Sequence, residues 1–405
     1  MKILMLTDVF FPDTIGGAGR MAYYLSLGLS EKGHEIHVIT RAKNTSNLPA
    51  FQKLNASLFI HRFFVPAAES FSMVFSELIH SRILAAQLSR TIEFDLICTH
   101  QTLAALGPVS FKNFAAKPIL HWYYSPWHEE YSIKKYGDQN KINLKTRLIA
   151  FILRRLEKRH IRKARKIIVL SQYTKKQLTD IHRFSEEKIH FIPGCVDLNH
   201  FRLPVAGKKI IKNRLGVPLH KTIFFTVRNL VPRMGLENLI QSFIESEVLR
   251  RESLLLIGGK GFLETPLKAT VAKHRLQECI QFPGYISEER LPQFYQAADF
   301  FILPTKKLEG FGLVILEALA CGTPVLGTPV GAILELLKPL AAHFIIEGTE
   351  GYCIRKKMEE VISQPEKYRL DPQTCRTYVQ NRYSRVHMAD AFERLVWQVL
   401  NRVAQ

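Results

Sequence analysis

No Cys-x-x-C pair occurs among the six cysteines of this 405-residue chain, and the nearest two, Cys353 and Cys375, are 22 positions apart. That spacing excludes a zinc-ribbon or dithiol redox motif. Isolated thiols at Cys98, Cys195, Cys279 and Cys321, mostly with apolar flanks, fit a reducing compartment. No run of about 18 apolar residues is present, so no membrane-spanning helix is expected. Met1-Lys2 precedes only a short apolar run before Asp8, without a small-residue cleavage site, and this predicts a cytoplasmic protein. Glycine (22) and proline (19) are too few for a fibrous or low-complexity chain. Acid is scarce as well: 36 Asp and Glu stand against 56 Lys and Arg, a net charge of +20. The excess favours anionic partners such as nucleotides, nucleic acid or an anionic membrane. No RNA-recognition or zinc-finger pattern is present, so nucleic acid is not expected.

What remains is ordinary globular composition, 47% hydrophobic and 23% charged, in a length that predicts two to four domains. The apolar run from Lys2 to Thr7 reads as a buried strand, followed by a loop with Gly16, Gly17 and Gly19, a helix from Met21 to Ser30 and a strand at 35–40. This is a βαβ unit. Further strands are read at 58–64, 95–99, 118–123, 167–170 and 189–192, with helices near 72–91, 102–113, 144–165 and 174–182. A polar stretch from Gly207 to Pro218 reads as a linker. Beyond it come strands at 222–228, 253–257, 279–283, 299–304, 324–326 and 343–346, and helices near 234–249, 288–298, 313–320 and 355–363. The alternation predicts an α/β fold of two Rossmann-like, doubly wound domains facing across a cleft, 1–203 and 204–386, with a last helix in 387–405 that could pack on either.

Ligands in such sheets lie beyond the carboxyl ends of strands. Two loops there carry chemistry. The first, Thr14 to Gly19, offers glycines and a helix N-terminus to a phosphate, or is a plain tight turn. The second runs from Glu309 to Glu317. Two acids flanking a helix start would suit a polyhydroxylated ligand bearing a diphosphate, that is, a nucleotide sugar. Otherwise they are solvated surface acids.

The context Glu309-Gly-Phe-Gly-Leu-Val-Ile-Leu-Glu317 resembles the signature of the retaining GT-B glycosyltransferases of family 4. The likeness extends along nearly the whole chain: Gly16-Gly17 and Gly33-His34, Ile168 to Ser171, Ile192 to Asp197 with Phe201, and Gly284-Tyr285 through Asp299 and Pro304. The resemblance implies roles. Glu309 matches the acid near the donor sugar and Glu317 the acid on the ribose. Phe311, Gly312 and Leu313 match backbone contacts to the donor, Gly16 and Gly17 the loop closing on the phosphates, and Tyr285 and Ile286 the contacts to the base.

Three positions depart from the family pattern. In the phosphate-binding segment Asn229 stands for the usual Arg and Met234 for the usual Lys, leaving Arg233 or Arg228 to supply the charge. At the usual catalytic His stands Tyr124, with His121 and His128 nearby; on a strand His121 would point to the opposite face. The absence of Asp-x-Asp implies no metal, and no cofactor is expected.

Between residues 141 and 166 eleven Lys and Arg oppose one acid, Glu157, and apolar residues recur at helical spacing. Two readings stand: a cationic helix on an anionic membrane, peripheral at its inner face, or a domain helix with its apolar side in the core. The sequence as a whole predicts a glycosyltransferase moving a sugar, most simply a hexosyl group, from a nucleotide-diphospho-sugar to an unidentified acceptor hydroxyl. The competing readings are a non-catalytic nucleotide-sugar-binding subunit and another enzyme of the same fold, such as a sugar-nucleotide epimerase.

Overall fold

The computed structural model describes residues 1–14, 16–66, 71–110, 114, 116–136 and 143–401. Ile15 of the glycine loop, Lys141, and parts of the helices read at 102–113 and 387–403 lie outside the described residues. The chain forms two compact units. One comprises Met1–His128, Arg147–Cys195 and Arg385–Gln405, the other Glu129–Thr146 and Val196–Ser384.

In the first unit strands β1 (Lys2–Thr7), β2 (Glu35–Lys43), β3 (Phe51–Lys53), β4 (Leu58–Val65), β5 (Leu96–Thr99), β6 (Ile119–Tyr123), β7 (Lys166–Val169) and β8 (Ile189–Phe191) make one sheet. Their order is β3-β4-β2-β1-β5-β6-β7-β8. The pairing is parallel except between β3 and β4. Parallel strands covered on both faces read as continuous apolar runs, and Ile3 to Leu6 of β1 are fully buried. The winding reverses between β1 and β5, the position at which doubly wound sheets bind their ligands. Gln101 Oε1 accepts the Asp8 and Val9 N–H groups (3.0 and 3.1 Å), and Asp8 Oδ1 accepts the Ala104 N–H at 2.7 Å. These bonds tie the two loops together.

Helix Arg385–Asn401 packs on helix Gly17–Glu31. Gly28 allows the approach, since a Cβ there would lie 2.9 Å from that of Ala389. Ion pairs border the contact: Glu31 with Arg385, Lys32 with Asp390 and His34 with Glu393, each at 2.8 Å.

Helix Leu144–Lys163 is inside out relative to the core-helix reading of the basic segment. Leu148, Phe151, Ile152 and Leu156 are exposed, while Glu157, His160 and Ile161 are buried. The inward acid is satisfied: Glu157 Oε2 pairs with His182 Nε2 at 2.9 Å, and its Oε1 accepts the Trp127 N–H at 3.1 Å. Polar partners hold this helix to the domain, which frees its apolar side from the core.

In the second unit β9 (Thr222–Val227), β10 (Ser253–Gly258), β11 (Ile280–Gly284), β12 (Phe300–Leu303) and β13 (Val325–Gly327) form a parallel sheet in the order β11-β10-β9-β12-β13. Phe224, Phe243, Leu255, Ile257, Ile302 and Leu326 lie in its core. The winding reverses between β9 and β12, so the loops after these strands are neighbours.

Several sequence readings change here. The stretch read as a linker contains helix Lys208–Arg214, whose Lys208 and Lys212, one turn apart, each place Nζ 2.8 Å from Asp299. The division of the sequence at 203/204 lies inside the second unit. Arg376 donates to the carbonyls of Leu198 and Phe201, and Phe201 sits edge-on to Tyr295. The helix read at 234–249 is two, Leu236–Ile244 and Glu247–Glu252, because Ser246 Oγ caps the second by accepting the Leu249 N–H at 3.1 Å. The strand read at 343–346 is a 3₁₀ turn, Ala342–Phe344, after which Ile345 bridges Gly327. Helices Trp127–Tyr136, Glu264–Lys273, Ile333–Ala341 and Pro372–Gln380 have no counterpart in the sequence reading.

Candidate active site

The adjacency of β9 and β12 brings residues 228–235 against residues 304–312. Gly235 makes the close approach possible: its φ is 71°, and a Cβ would lie 1.9 Å from the Pro304 carbonyl oxygen. Lys306 N–H donates to the Arg233 carbonyl at 2.8 Å. The Arg233 side chain donates from Nη1 to the Leu308 carbonyl at 3.1 Å, so it clasps the loop that presents Glu309. Burial, then the neighbouring Arg228 charge, hold its basicity below the usual arginine range.

Arg228 is the arginine that reaches Glu309. Its Nη2 lies 2.7 Å from Glu309 Oε2, with the two side chains 7% and 11% exposed. Its Nε and Nη2 also contact Met234 Sδ at 3.2 and 2.8 Å. A guanidinium thus lies against the residue that replaces the family's lysine. Thr305 Oγ1 donates to the same Glu309 oxygen at 3.2 Å. The Glu309 carbonyl accepts the Ala332 N–H at 3.0 Å, which anchors the acid to a third segment. Asn229 is exposed at the loop's outer edge.

Gly312 precedes helix Leu313–Ala320. Glu317, about one turn in, is buried, and Tyr295 donates its hydroxyl to Glu317 Oε2 at 2.8 Å. Phe311 is buried, edge-on to Tyr383. Leu313 opens the helix, and the Ile315 N–H turns back to the Gly312 carbonyl at 2.9 Å. Tyr285 is half exposed, whereas Ile286 is buried.

Sequence reasoning missed the loop after β10. Arg228 N–H donates to the Gly258 carbonyl (3.1 Å) and Leu230 N–H to that of Lys260 (2.9 Å), so residues 258–261 line the Arg228 segment. Gly258 at the end of a buried strand, followed by Gly259 and Gly261, was the signal available. Tyr295 and Thr305, which hold the two acids, carry no local signal.

Gly16, Gly17 and Tyr124 belong to the first unit. Gly16 and Gly17 open helix Gly17–Glu31, and Arg20 N–H donates to the Gly16 carbonyl at 3.0 Å. Tyr124 lies with its hydroxyl 2.5 Å from His100 Nδ1. Burial pushes the Tyr124 hydroxyl well above its usual range and the His100 ring down to about 3. At neutral pH the tyrosine therefore keeps its proton and donates it to a neutral imidazole. His100 also stacks on Trp122. His121 points elsewhere, to Thr99 Oγ1 at 2.8 Å and to His160, as strand alternation requires. His128 lies 4.0 Å from Glu157, and burial, then the Arg154 charge, hold its ring down to about 4.

Known proteins resemble this chain in sequence and in fold. The Glycosyltransferase Family 4 profile matches residues 15–200, and that of Glycosyl transferases group 1 matches residues 207–374. An uncharacterized glycosyltransferase of Methanocaldococcus jannaschii is 24% identical over 344 residues, 84% of this chain and 83% of that protein. The structure resembles sucrose-phosphate synthase from Thermosynechococcus elongatus with a TM-score of 0.81 at 20% identity, over 99% of this chain and 100% of that one. It also resembles Anabaena HepE in complex with UDP and glucose, with a TM-score of 0.74 at 16% identity, over 98% of this chain and 100% of that one. Adjoining profile matches across both units, together with the shared fold, place the chain among the group 1 glycosyltransferases of GT-B architecture.

Proposed function

We propose that this glycosyltransferase moves a hexosyl group from a nucleotide-diphospho-sugar to an acceptor hydroxyl with retention at the anomeric carbon. The observation that carries the reading is the Arg228 guanidinium, held 2.7 Å from Glu309 and against Met234. It supplies a cation where the family's lysine is missing, and so favours catalysis over a binding-only role. In this reading Glu317 takes the ribose hydroxyls, and the first amides of helix Leu313–Ala320, with Phe311 and Gly312, take the diphosphate. Glu309 faces the transferred sugar. Gly16 and Gly17 border the phosphates, Tyr285 and Ile286 the base, and Asn229 the outer edge of the donor.

The acceptor oxygen bonds to the anomeric carbon on the face that the diphosphate leaves. The carbon–oxygen bond to the diphosphate breaks, and the acceptor proton passes to a diphosphate oxygen. Such a step demands charge stabilisation of the leaving group more than a protein base. Arg228 stabilises that charge, Arg233 holds the loop and adds to the local positive field, and Tyr124, whose proton is held by His100, offers its hydroxyl oxygen as an acceptor on the acceptor side. No resident metal or cofactor enters the step. The enzyme works in the cytoplasm, and its basic segment rests on the inner face of an anionic membrane. Among the described residues no helix is long and apolar enough to cross a membrane.

The test is a panel of UDP-, GDP- and ADP-sugars scored for nucleotide release, followed by NMR of the product. An α-donor must give an α-linked product. A β-linked product overturns retention, and no release from any donor overturns the catalytic reading.

A further inference from the structure

The exposed apolar residues of helix Leu144–Lys163 have company. On helix Phe71–Leu88, Phe75, Ile79 and Ile83 recur every fourth position and are 67%, 46% and 49% exposed. The two helices flank one groove of about 700 Å³, walled by Leu78, Ile79, Ile83, Val109 and Leu156. Arg82, Arg159 and Lys163 stand along it. Lys163 also lines a second groove of about 730 Å³, where Lys117, Arg162, Arg165, Lys166 and Lys188 face one acid, Glu187. Single exposed apolar residues need no explanation, but contiguous stripes on two adjacent helices do.

Charge selects the occupant. A second copy of this chain would set one cationic rim against another. Nucleic acid would answer the cations but give Phe75, Phe151 and Ile83 no apolar phase. An anionic bilayer supplies both, with phosphates at the headgroup level and acyl chains just beneath.

We propose that helices Phe71–Leu88 and Leu144–Lys163 form a single insertion face that seats the first unit on an anionic phospholipid bilayer. The apolar stripes enter the acyl boundary, and the cations along the two grooves bind headgroup phosphates. The proposal rests on the reading of the basic segment as a membrane contact. It adds a second helix and true insertion to what charge alone would give.

The test is flotation of the full-length protein with vesicles of phosphatidylglycerol or of phosphatidylcholine. Wild type is compared with Ile79→Glu/Ile83→Glu and with Leu148→Glu/Phe151→Glu. Phe151→Trp, a mild change, reports depth through quenching by brominated lipid. The expected result is binding to phosphatidylglycerol alone, quenching of the new tryptophan, and partitioning at least roughly tenfold weaker in each double variant. Hydrolysis of a soluble donor is expected to stay at the wild-type rate in both. Wild-type partitioning of the Ile79/Ile83 variant overturns the two-helix face. Binding that vanishes at about 1 M salt, with no quenching, leaves only attraction at a distance and overturns insertion while sparing the basic-segment reading. No binding of wild type to phosphatidylglycerol overturns both. A concentration-dependent dimer that the Ile79/Ile83 variant abolishes, without vesicle binding, assigns the face to a second copy and overturns the proposal.

Discussion

Replacing Arg228 by Ala removes one side chain with two jobs, and the structure separates their magnitudes. The first is structural. Glu309 loses the guanidinium 2.7 Å away and keeps Thr305, at 3.2 Å, as a donor. Stranding one partner of a buried pair costs about 3–5 kcal/mol, and the retained hydroxyl argues for the lower end. About 3 kcal/mol lowers the melting temperature of a domain this size by roughly 6–12 °C. The second job is catalytic. Loss of a preorganised charge donor raises the barrier by about 2.7–4 kcal/mol, or roughly 10²–10³ in turnover. The double variant Arg228→Ala/Glu309→Ala removes the stranded charge, so its stability is expected to recover while its turnover does not. Met234→Lys alone places an ammonium against the guanidinium, which now touches Met234 Sδ at 2.8 Å, and is expected to lower both stability and turnover. In the Arg228→Ala background the same lysine restores the family's own cation and is expected to regain part of the lost turnover. Calorimetry reads the first quantity and nucleotide release the second. Wild-type turnover in a folded Arg228→Ala variant would refute the reasoning, and so would a Met234→Lys change that rescues nothing in the Arg228→Ala background.

Glu317→Ala is expected to weaken donor binding by roughly 1.5–3 kcal/mol, read by titration calorimetry. Tyr295→Phe, which removes the hydroxyl on Glu317 Oε2, is expected to act in the same direction with a smaller effect. Since the chain has no Asp-x-Asp, activity is expected to persist in excess EDTA; complete loss restored by Mn²⁺ or Mg²⁺ refutes this. Acid is expected to destabilise the first unit. Burial, foremost, holds His61, His128 and His160 down to about 4, against 6.5 for a free ring. The unfolded chain takes up protons first, so this stability is full above about pH 6.5 and falls away toward pH 4. Glu77 runs the other way. Burial, then Asp8, hold its carboxyl up to about 8, so its contribution is full below 4.5 and is lost as the pH rises through 8. Melting temperatures against pH should therefore peak between these limits, and Glu77→Gln should flatten the alkaline side. A melting temperature unchanged from pH 6.5 to 4.5 would sink the histidine argument.

Much of the site was legible because its residues lie close together in sequence. Glu309 and Glu317 sit on a loop and the helix it opens, so their spacing alone announces two acids flanking a helix start. Other parts depend on residues far apart in the chain. Arg228 and Glu309 are 81 positions apart and meet only because β9 and β12 are neighbours. Tyr295 reaches Glu317 across 22 positions, and His100 reaches Tyr124 across 24. No spacing rule joins such pairs, and hydroxyls or imidazoles on unrelated elements look alike whether they hold an acid or face solvent.

The sequence by itself determined the local rhythm: apolar runs for strands buried on both faces, glycines after them, and helices at intervals that demand parallel crossovers. Burial is written into such runs, since no strand of five apolar residues is stable in water. Tertiary structure alone decided which way the basic helix faces. Its apolar and cationic residues are compatible with either orientation. The choice fell to Glu157, whose carboxylate finds His182 and the Trp127 amide inside the domain. Buried charge must be paired or not buried at all, so that one satisfied acid turns Leu148, Phe151, Ile152 and Leu156 outward.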